Sequence, residues 1–225
     1  MSAFVFDLET TNKIPAVAAI IQAAFLRFDD TVKIETPEDI ITVIAGTEIN
    51  NFYFVPPFKL SPMITKITGL DNKFLEAHSD GISWVEGYED VSDLLTPGTK
   101  LVGHNIEAYD CTVLYHQFKT VGLKFNKAAY NLYDTYKNSN QLAFALGGKD
   151  KKLGTCYEQS VENLVSTFGE KYSRETFDNL FLEKMRNAGM QEDEAHSHNG
   201  VFDSFMNLLV YLVGKLPGGG IVIDD

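Results

Sequence analysis

An apolar run that ends in two carboxylates constrains this chain more than any other stretch. Phe4-Val-Phe6 reads as a short buried strand and leads directly into Asp7-Leu-Glu-Thr-Thr11. Side chains alternate along a strand, so Asp7 and Glu9 project from one face. Two neighbouring carboxylates at the end of a core strand repel each other and resist dehydration. A divalent cation is the simplest partner that removes both penalties. The opening stretch therefore predicts a metal site that the rest of the chain completes.

Composition narrows the setting. A chain of 225 residues, 44% of them apolar, can bury one sizeable α/β core. It holds no apolar run of about eighteen residues, which argues against a membrane span. The start, Met1-Ser-Ala-Phe4, lacks the basic region of a signal peptide. The two cysteines, Cys111 and Cys156, are expected to be free thiols, and the expected location is cytoplasmic. The formal charge of -12 argues against a protein that holds nucleic acid through a general positive field. It leaves open an enzyme that meets phosphate through metal ions.

Further along, Ile20–Phe28 reads as a strand returning on the first, with a turn at Asp29-Asp30, and a third strand is expected over about Ile49–Val55. Pro56-Pro57 breaks any sheet there. Short helices are expected around Gly69 and a longer one over Ser83–Leu95, ended by Pro97-Gly98. Lys100–Gly103 reads as a strand entering the loop His104-Asn-Ile-Glu-Ala-Tyr-Asp110, followed by a helix to about Val121. Tyr130–Asp134 is a short strand, Lys149–Lys152 a basic loop, and Val161–Phe168, Thr176–Ala188 and Ser197–Val213 are helices.

Two of these helices begin their core-facing stripe with an aspartate. Asp110 lines up with Leu114, Phe118 and Val121, and Asp203 with Met206, Val210 and Val213. A carboxylate near a helix N-terminus gains from the dipole, typically ~0.3–1 kcal/mol, which could explain either one alone. Both together, in a chain that opens with strand-Asp-x-Glu, point to a shared site. His198 precedes Asn199, a plausible N-cap, and stands five residues before Asp203. An imidazole there suits a general base near neutral pH.

These residues resemble the motifs of the DEDD exonuclease superfamily, in its histidine-containing branch, which includes proofreading subunits of bacterial replicative polymerases, oligoribonuclease and RNase T. The first motif is Phe6-Asp7-Leu8-Glu9-Thr10-Thr11, the second His104-Asn105 with Tyr109-Asp110, and the third His198 through Asp203. Ile67-Thr-Gly-Leu70 and Tyr133-Asp134-Thr135 are similar to two further family segments. The resemblance implies a ribonuclease H-like fold, a mixed five-stranded sheet flanked by helices. It implies hydrolysis of phosphodiester bonds from the 3′ end of single-stranded nucleic acid, DNA in preference to RNA, with release of nucleoside 5′-monophosphates. Asp7, Glu9, Asp110 and Asp203 would hold two Mg²⁺ or Mn²⁺ ions, and His198 would act as base. Backbone and side chains near Leu8, Thr10 and Asn105 would hold the terminal nucleotide, with Leu70 and Tyr109 stacking or wedging against bases. The resemblance is compatible with a polymerase or other replication protein as partner and with a chain that works alone.

The match spans about Phe4 to Val213, with two departures. The loop between His104-Asn105 and Asp110 is one residue longer than usual, which makes Glu107 a competitor to Asp110. His196 competes with His198 but lacks the family spacing to Asp203. The expected organisation is an exonuclease domain over residues 1–216, with a helical insertion at about 169–194, and a flexible tail over 217–225. Two rivals share some features. A haloacid dehalogenase-like phosphatase carries Asp-x-Asp-x-Thr after its first strand, which Asp7, Glu9 and Thr11 imitate, but the second acid here is Glu and no Gly-Asp acid motif follows. A degenerate nuclease fold kept as a binding module would usually have lost a ligand.

Overall fold

The computed structural model describes residues 2–138, 150–191 and 199–217. At its centre is a five-stranded sheet in the order β3-β2-β1-β4-β5, with β1 (Ser2–Thr10) in the middle. β2 (Ile20–Asp29) pairs antiparallel with β1, and β3 (Glu48–Tyr53) antiparallel with β2. On the other side β4 (Lys100–Gly103) and β5 (Asn131–Asp134) run parallel to β1. This is the mixed sheet the sequence implied. The first strand is longer than Phe4–Phe6, because its register with β2 continues from Ser2–Asp29 to Glu9–Gln22. Asp7 and Glu9 thus stand inside a paired strand, with their backbone groups satisfied by β2.

Alternation along β1 divides the interior. Ala3 and Val5 join Ala24, Leu26 and Phe28 in one core; Phe4, Phe6 and Leu8 join Ala23 and Phe25 in another. By the same period of two, Asp7 and Glu9 fall on the face of Val5. The opposite face is covered by α4 (Trp84–Leu94) and α5 (Asp110–Thr120), with Trp84 packed edge-on against Phe54 and Phe118. Beside β3, α2 (Pro62–Thr68) and α3 (Asn72–His78) close a small cluster of Ile21, Tyr53, Leu70 and Leu75.

The carboxylate face is covered by α8 (Gly200–Lys215), around which lie α1 (Pro37–Ala45), α6 (Leu153–Phe168) and α7 (Arg174–Asn187). Asp203 does lead Met206, Val210 and Val213, but the apolar surface of α8 is no mere stripe. Every residue from 200 to 214 except Asp203 is buried, since the sheet lies on one side and helices close the other. Phe181 of α7 stacks on Phe205 at 5.1 Å and meets Phe202 edge-on at 5.8 Å. The far end of α8 is fastened at Asp30, which accepts from Tyr211 Oη at 2.6 Å, Lys215 Nζ at 2.6 Å and Lys100 Nζ at 2.8 Å. Burial alone would push the Asp30 carboxyl up, but these three donors outweigh it and hold it below its ordinary range.

Other differences from expectation have local causes. α1 arises in a stretch where the sequence pattern suggested no element, and is set by Thr36 and Asp39, which cap each other's backbone, with Pro37 at the first helical position. α6 begins at Leu153, well before Val161. Its first turn has Gly154 and no side-chain cap, so the usual start signals are missing. Cys111 and Cys156 are buried and form no disulfide. Among the described residues no helix is long and apolar enough to cross a membrane. The tail beyond residue 217 lies outside the described residues.

Candidate active site

Asp7 and Glu9 leave β1 on the α8 face, and α8 brings Asp203 to them from its first turn. Oxygens of the three half-buried carboxylates lie within 4.8 Å of one another. α8 starts where it does because Asn199 caps it, its Oδ1 accepting from Val201 N at 3.0 Å. Asp110 opens α5 and accepts the Leu8 N–H at 3.2 Å, which clips α5 to β1 between the two strand carboxylates. Its carboxyl is almost fully buried.

The electrostatics follow from this crowding. Burial pushes the Asp7 carboxyl well above its usual range, and the charges of Glu9, Asp110 and Asp203 add to it. Glu9 is raised by burial and then by Asp203 and Asp110. Burial pushes Asp110 up to about 8, although its own N–H and that of Leu8 favour the charged form. Carboxylates that hinder one another's ionisation are a donor set suited to hard divalent cations, which neutralise the repulsion and bind oxygen.

The loop after β4 is wound tightly to deliver Asp110. A Cβ on Gly103 would meet Ile106 side-chain atoms at 2.7–2.9 Å, so the strand can end there only on glycine. Asn105 takes φ of 61°, in the left-handed region. Asp134, at the end of β5, accepts the N–H groups of Asn105 at 2.9 Å and Tyr136 at 3.0 Å, with Glu107 at 3.4 Å. At the other edge the Tyr109 hydroxyl bonds Thr10 Oγ1 and donates to Asn12 O at 2.6 Å. Tyr109 thus ties the end of β1 to the start of α5.

The expected residues fare differently. Asp7, Glu9 and Asp203 are brought together, with Asp110 beside them. Glu107 is turned aside in an ion pair with Lys137 at 2.7 Å. Thr10 and Tyr109 are bonded to each other at the end of β1, and the Asn105 backbone is held by Asp134. The side chains of Leu8 and Leu70 are not open to a nucleotide: they are 5% and 2% exposed. Leu8 fills the core under α5, because it alternates with the carboxylates, and Leu70 fills the cluster with Ile21, Tyr53 and Leu75. His198 and its competitor His196 lie outside the described residues. His104 is held in place, with Nε2 donating to Lys151 O at 2.8 Å and Nδ1 at 3.1 Å from Thr135 Oγ1, and burial keeps its pKa below the ordinary value. The sequence pattern did not single out Asp134 as an organiser of the loop; the signal available was an acid closing an otherwise apolar strand.

A family model described as exonuclease, of the RNase T type, matches residues 4–211. The chain belongs to that family. Comparison with curated proteins by sequence gives no match. Among solved structures, the exonuclease-family chain is similar to one of exonuclease I described as suggesting how processivity is achieved, with TM-score 0.63 and 15% identity over 96% of this chain and 41% of the other. It is also similar to E. coli exonuclease I in complex with a dT13 oligonucleotide, at 0.62 and 15% over 95% and 41%. A zinc-bound form of an E. coli exonuclease I complex with single-stranded DNA gives 0.59 and 17% over 94% and 40%. The likeness is one of fold, the ribonuclease H-like arrangement. The chain spans about two fifths of the length of these structures.

Proposed function

We propose that the chain is a metal-dependent 3′–5′ exonuclease acting on single-stranded DNA and releasing nucleoside 5′-monophosphates. One observation carries this reading: carboxylate oxygens from a central strand and from a helix far away in sequence meet within 4.8 Å, in a chain of the exonuclease family. With Asp110 they form a four-carboxylate set, and Asp7, Glu9, Asp110 and Asp203 would hold two Mg²⁺ or Mn²⁺ ions. When bound, such ions activate water and neutralise charge on the attacking and leaving oxygens.

The chain's own residues position and move protons. His198, just ahead of the α8 cap, takes the proton of the attacking water; an imidazole with its ordinary pKa of about 6.5 is suited to that near neutral pH. Thr10 and Asn105 hold the terminal nucleotide, and Tyr109 fixes Thr10. The net charge of -12 fits a site that meets phosphate through cations and not through a basic surface. DNA is favoured over RNA because solved structures of this fold hold DNA oligonucleotides.

Digestion of 3′-blocked and unblocked single-stranded DNA, duplex DNA and short RNA, with Mg²⁺ or with EDTA, tests the reading. The expected result is EDTA-sensitive release of mononucleotides from unblocked single-stranded DNA. Internal fragments, or digestion from the 5′ end, would overturn it. His198→Ala should lower the rate roughly 10²–10⁴-fold, the usual worth of a general base, and flatten the acid limb of the pH–rate profile. A profile unchanged from wild type would remove His198 from the role.

A further inference from the structure

Gln22 is an amide in the middle of an otherwise apolar strand, Ile20-Ile-Gln-Ala-Ala-Phe25, and it is wholly buried. It stands directly opposite Glu9 in the β1–β2 register. Opposed residues of an antiparallel pair share a face, so Gln22 lies on the face that carries Asp7 and Glu9. Its side chain reaches across to the start of α8. Oε1 accepts the Gly200 N–H at 3.0 Å, and Nε2 lies 3.4 Å from Asn199 Oδ1, the atom that caps α8. Nε2 is aimed from the other side by Asn51 Oδ1 at 2.9 Å and Tyr53 Oη at 3.3 Å, both on β3. There is no slack beneath: a Cβ on Gly200 would come within 3.1 Å of Ala24 Cβ and 3.4 Å of the Gln22 amide.

The Gly200 N–H is one of the first N–H groups of α8, which have no partner within their own helix. Asp203 follows one turn later, and the chain before Asn199 leads to His198. The position of Asp203 against Glu9 is therefore set by the amide of the residue paired with Glu9. We propose that Gln22 is a positioning residue of the catalytic centre, fixing the start of α8 so that Asp203 closes on Asp7 and Glu9. It touches neither substrate nor reacting atoms. The proposal rests on the metal-dependent exonuclease reading and extends it to a residue outside the four-carboxylate set.

The test compares three variants with wild type. Gln22→Leu keeps the bulk and removes both ends of the amide. Gln22→Glu, protonated where burial and neighbouring acids disfavour its charge, keeps an acceptor for Gly200 N–H and a donor for β3. Tyr211→Phe loosens α8 at its far end, at Asp30, and serves as a purely structural control. Displacements of about 1 Å near reacting groups cost about 10²-fold. Gln22→Leu should therefore lower kcat about 10²-fold with KM within a few-fold, and should raise the Mn²⁺ concentration that gives half the maximal thermal stabilisation. Gln22→Glu should restore most of both, and Tyr211→Phe should lower the melting temperature with kcat unchanged.

Wild-type kcat and Mn²⁺ response in Gln22→Leu would overturn the proposal. So would a loss in Gln22→Leu matched by Tyr211→Phe at equal loss of melting temperature. If Gln22→Leu does not fold, Gln22→Asn, which keeps the amide but shortens its reach to Gly200, takes its place: a raised Mn²⁺ midpoint with lowered kcat supports the role, and wild-type values for both refute it. Failure of the exonuclease reading itself would appear separately, as absent hydrolysis in the wild type, while the Mn²⁺ midpoints would still report on Gln22.

Discussion

Asp7→Asn abolishes hydrolysis from the 3′ end and, in the metal-free protein at pH 8, raises the melting temperature. Both outcomes have one cause. The Asp7 carboxyl is held well above its usual pKa by burial and by three neighbouring acids. In the absence of cations its charge opposes folding, and asparagine keeps the shape without the charge. Neutralising a carboxylate whose ionisation its surroundings hinder removes a contribution that opposes folding. For a chain of this size each kcal/mol is worth roughly 2–4 °C. With Mn²⁺ present the order reverses, because the variant has lost a ligand. Wild-type hydrolysis by Asp7→Asn would remove Asp7 from the metal set. A fall in the metal-free melting temperature would show that its carboxylate is compensated by other groups of the protein.

The second large effect is a pH dependence of the metal-free protein that Mn²⁺ cancels. Asp7, Glu9 and Asp110 are all raised, Asp110 to about 8, while an unfolded Asp titrates near 4. Between those values the folded site holds protons that the unfolded chain releases. Stability from Asp110 is therefore fully present below about pH 4 and is lost as pH rises through about 8, and Asp7 and Glu9 act in the same direction. Asp30 and Glu38, held below their ordinary range, act in the opposite sense but at lower pH; His104, lowered by burial, gains stability as pH rises to its ordinary pKa and opposes the trend within the window, as one group against three. Divalent cations bind the deprotonated carboxylates, so their stabilisation should grow over the same window. At a thousandfold excess over Kd, one ion is worth about 4 kcal/mol. Thermal melts at pH 5, 6.5 and 8, with EDTA or Mn²⁺, give the result directly. An Mn²⁺ shift that is equal at all three pH values would argue that these carboxylates do not bind it.

Much of the site was legible in the sequence because each of its acids interrupts a pattern. Asp7 and Glu9 break an apolar strand, and Asp110 and Asp203 occupy core-facing positions on helices. The order of the motifs then fixed the topology that brings them together. What was not legible depends on contacts between distant segments. The burial of Leu70 depends on α2 and α3 folding over Tyr53, which no local spacing reveals. Gln22 is a lone amide within the apolar stretch Ile20–Leu26 of β2, and its meaning comes only from Gly200, far along the chain. The reach of β1 through Glu9 likewise needed the β2 register. α1 was a different case. Thr36-Pro37-Glu38-Asp39 is a legible start signal, and the short span between the turn at Asp29-Asp30 and β3 hid the helix that followed.

The enclosure of α8 has a kinetic consequence. A helix covered by the sheet and by three other helices, and fastened at both ends, cannot open by fraying alone. Its amide protons should exchange with deuterium only when the whole domain unfolds, while exposed segments exchange through smaller openings. Asp203 rides on that most protected element. Heat or denaturant should therefore extinguish activity in the same cooperative step that melts the sheet, without a prior phase in which the centre is lost and the fold survives.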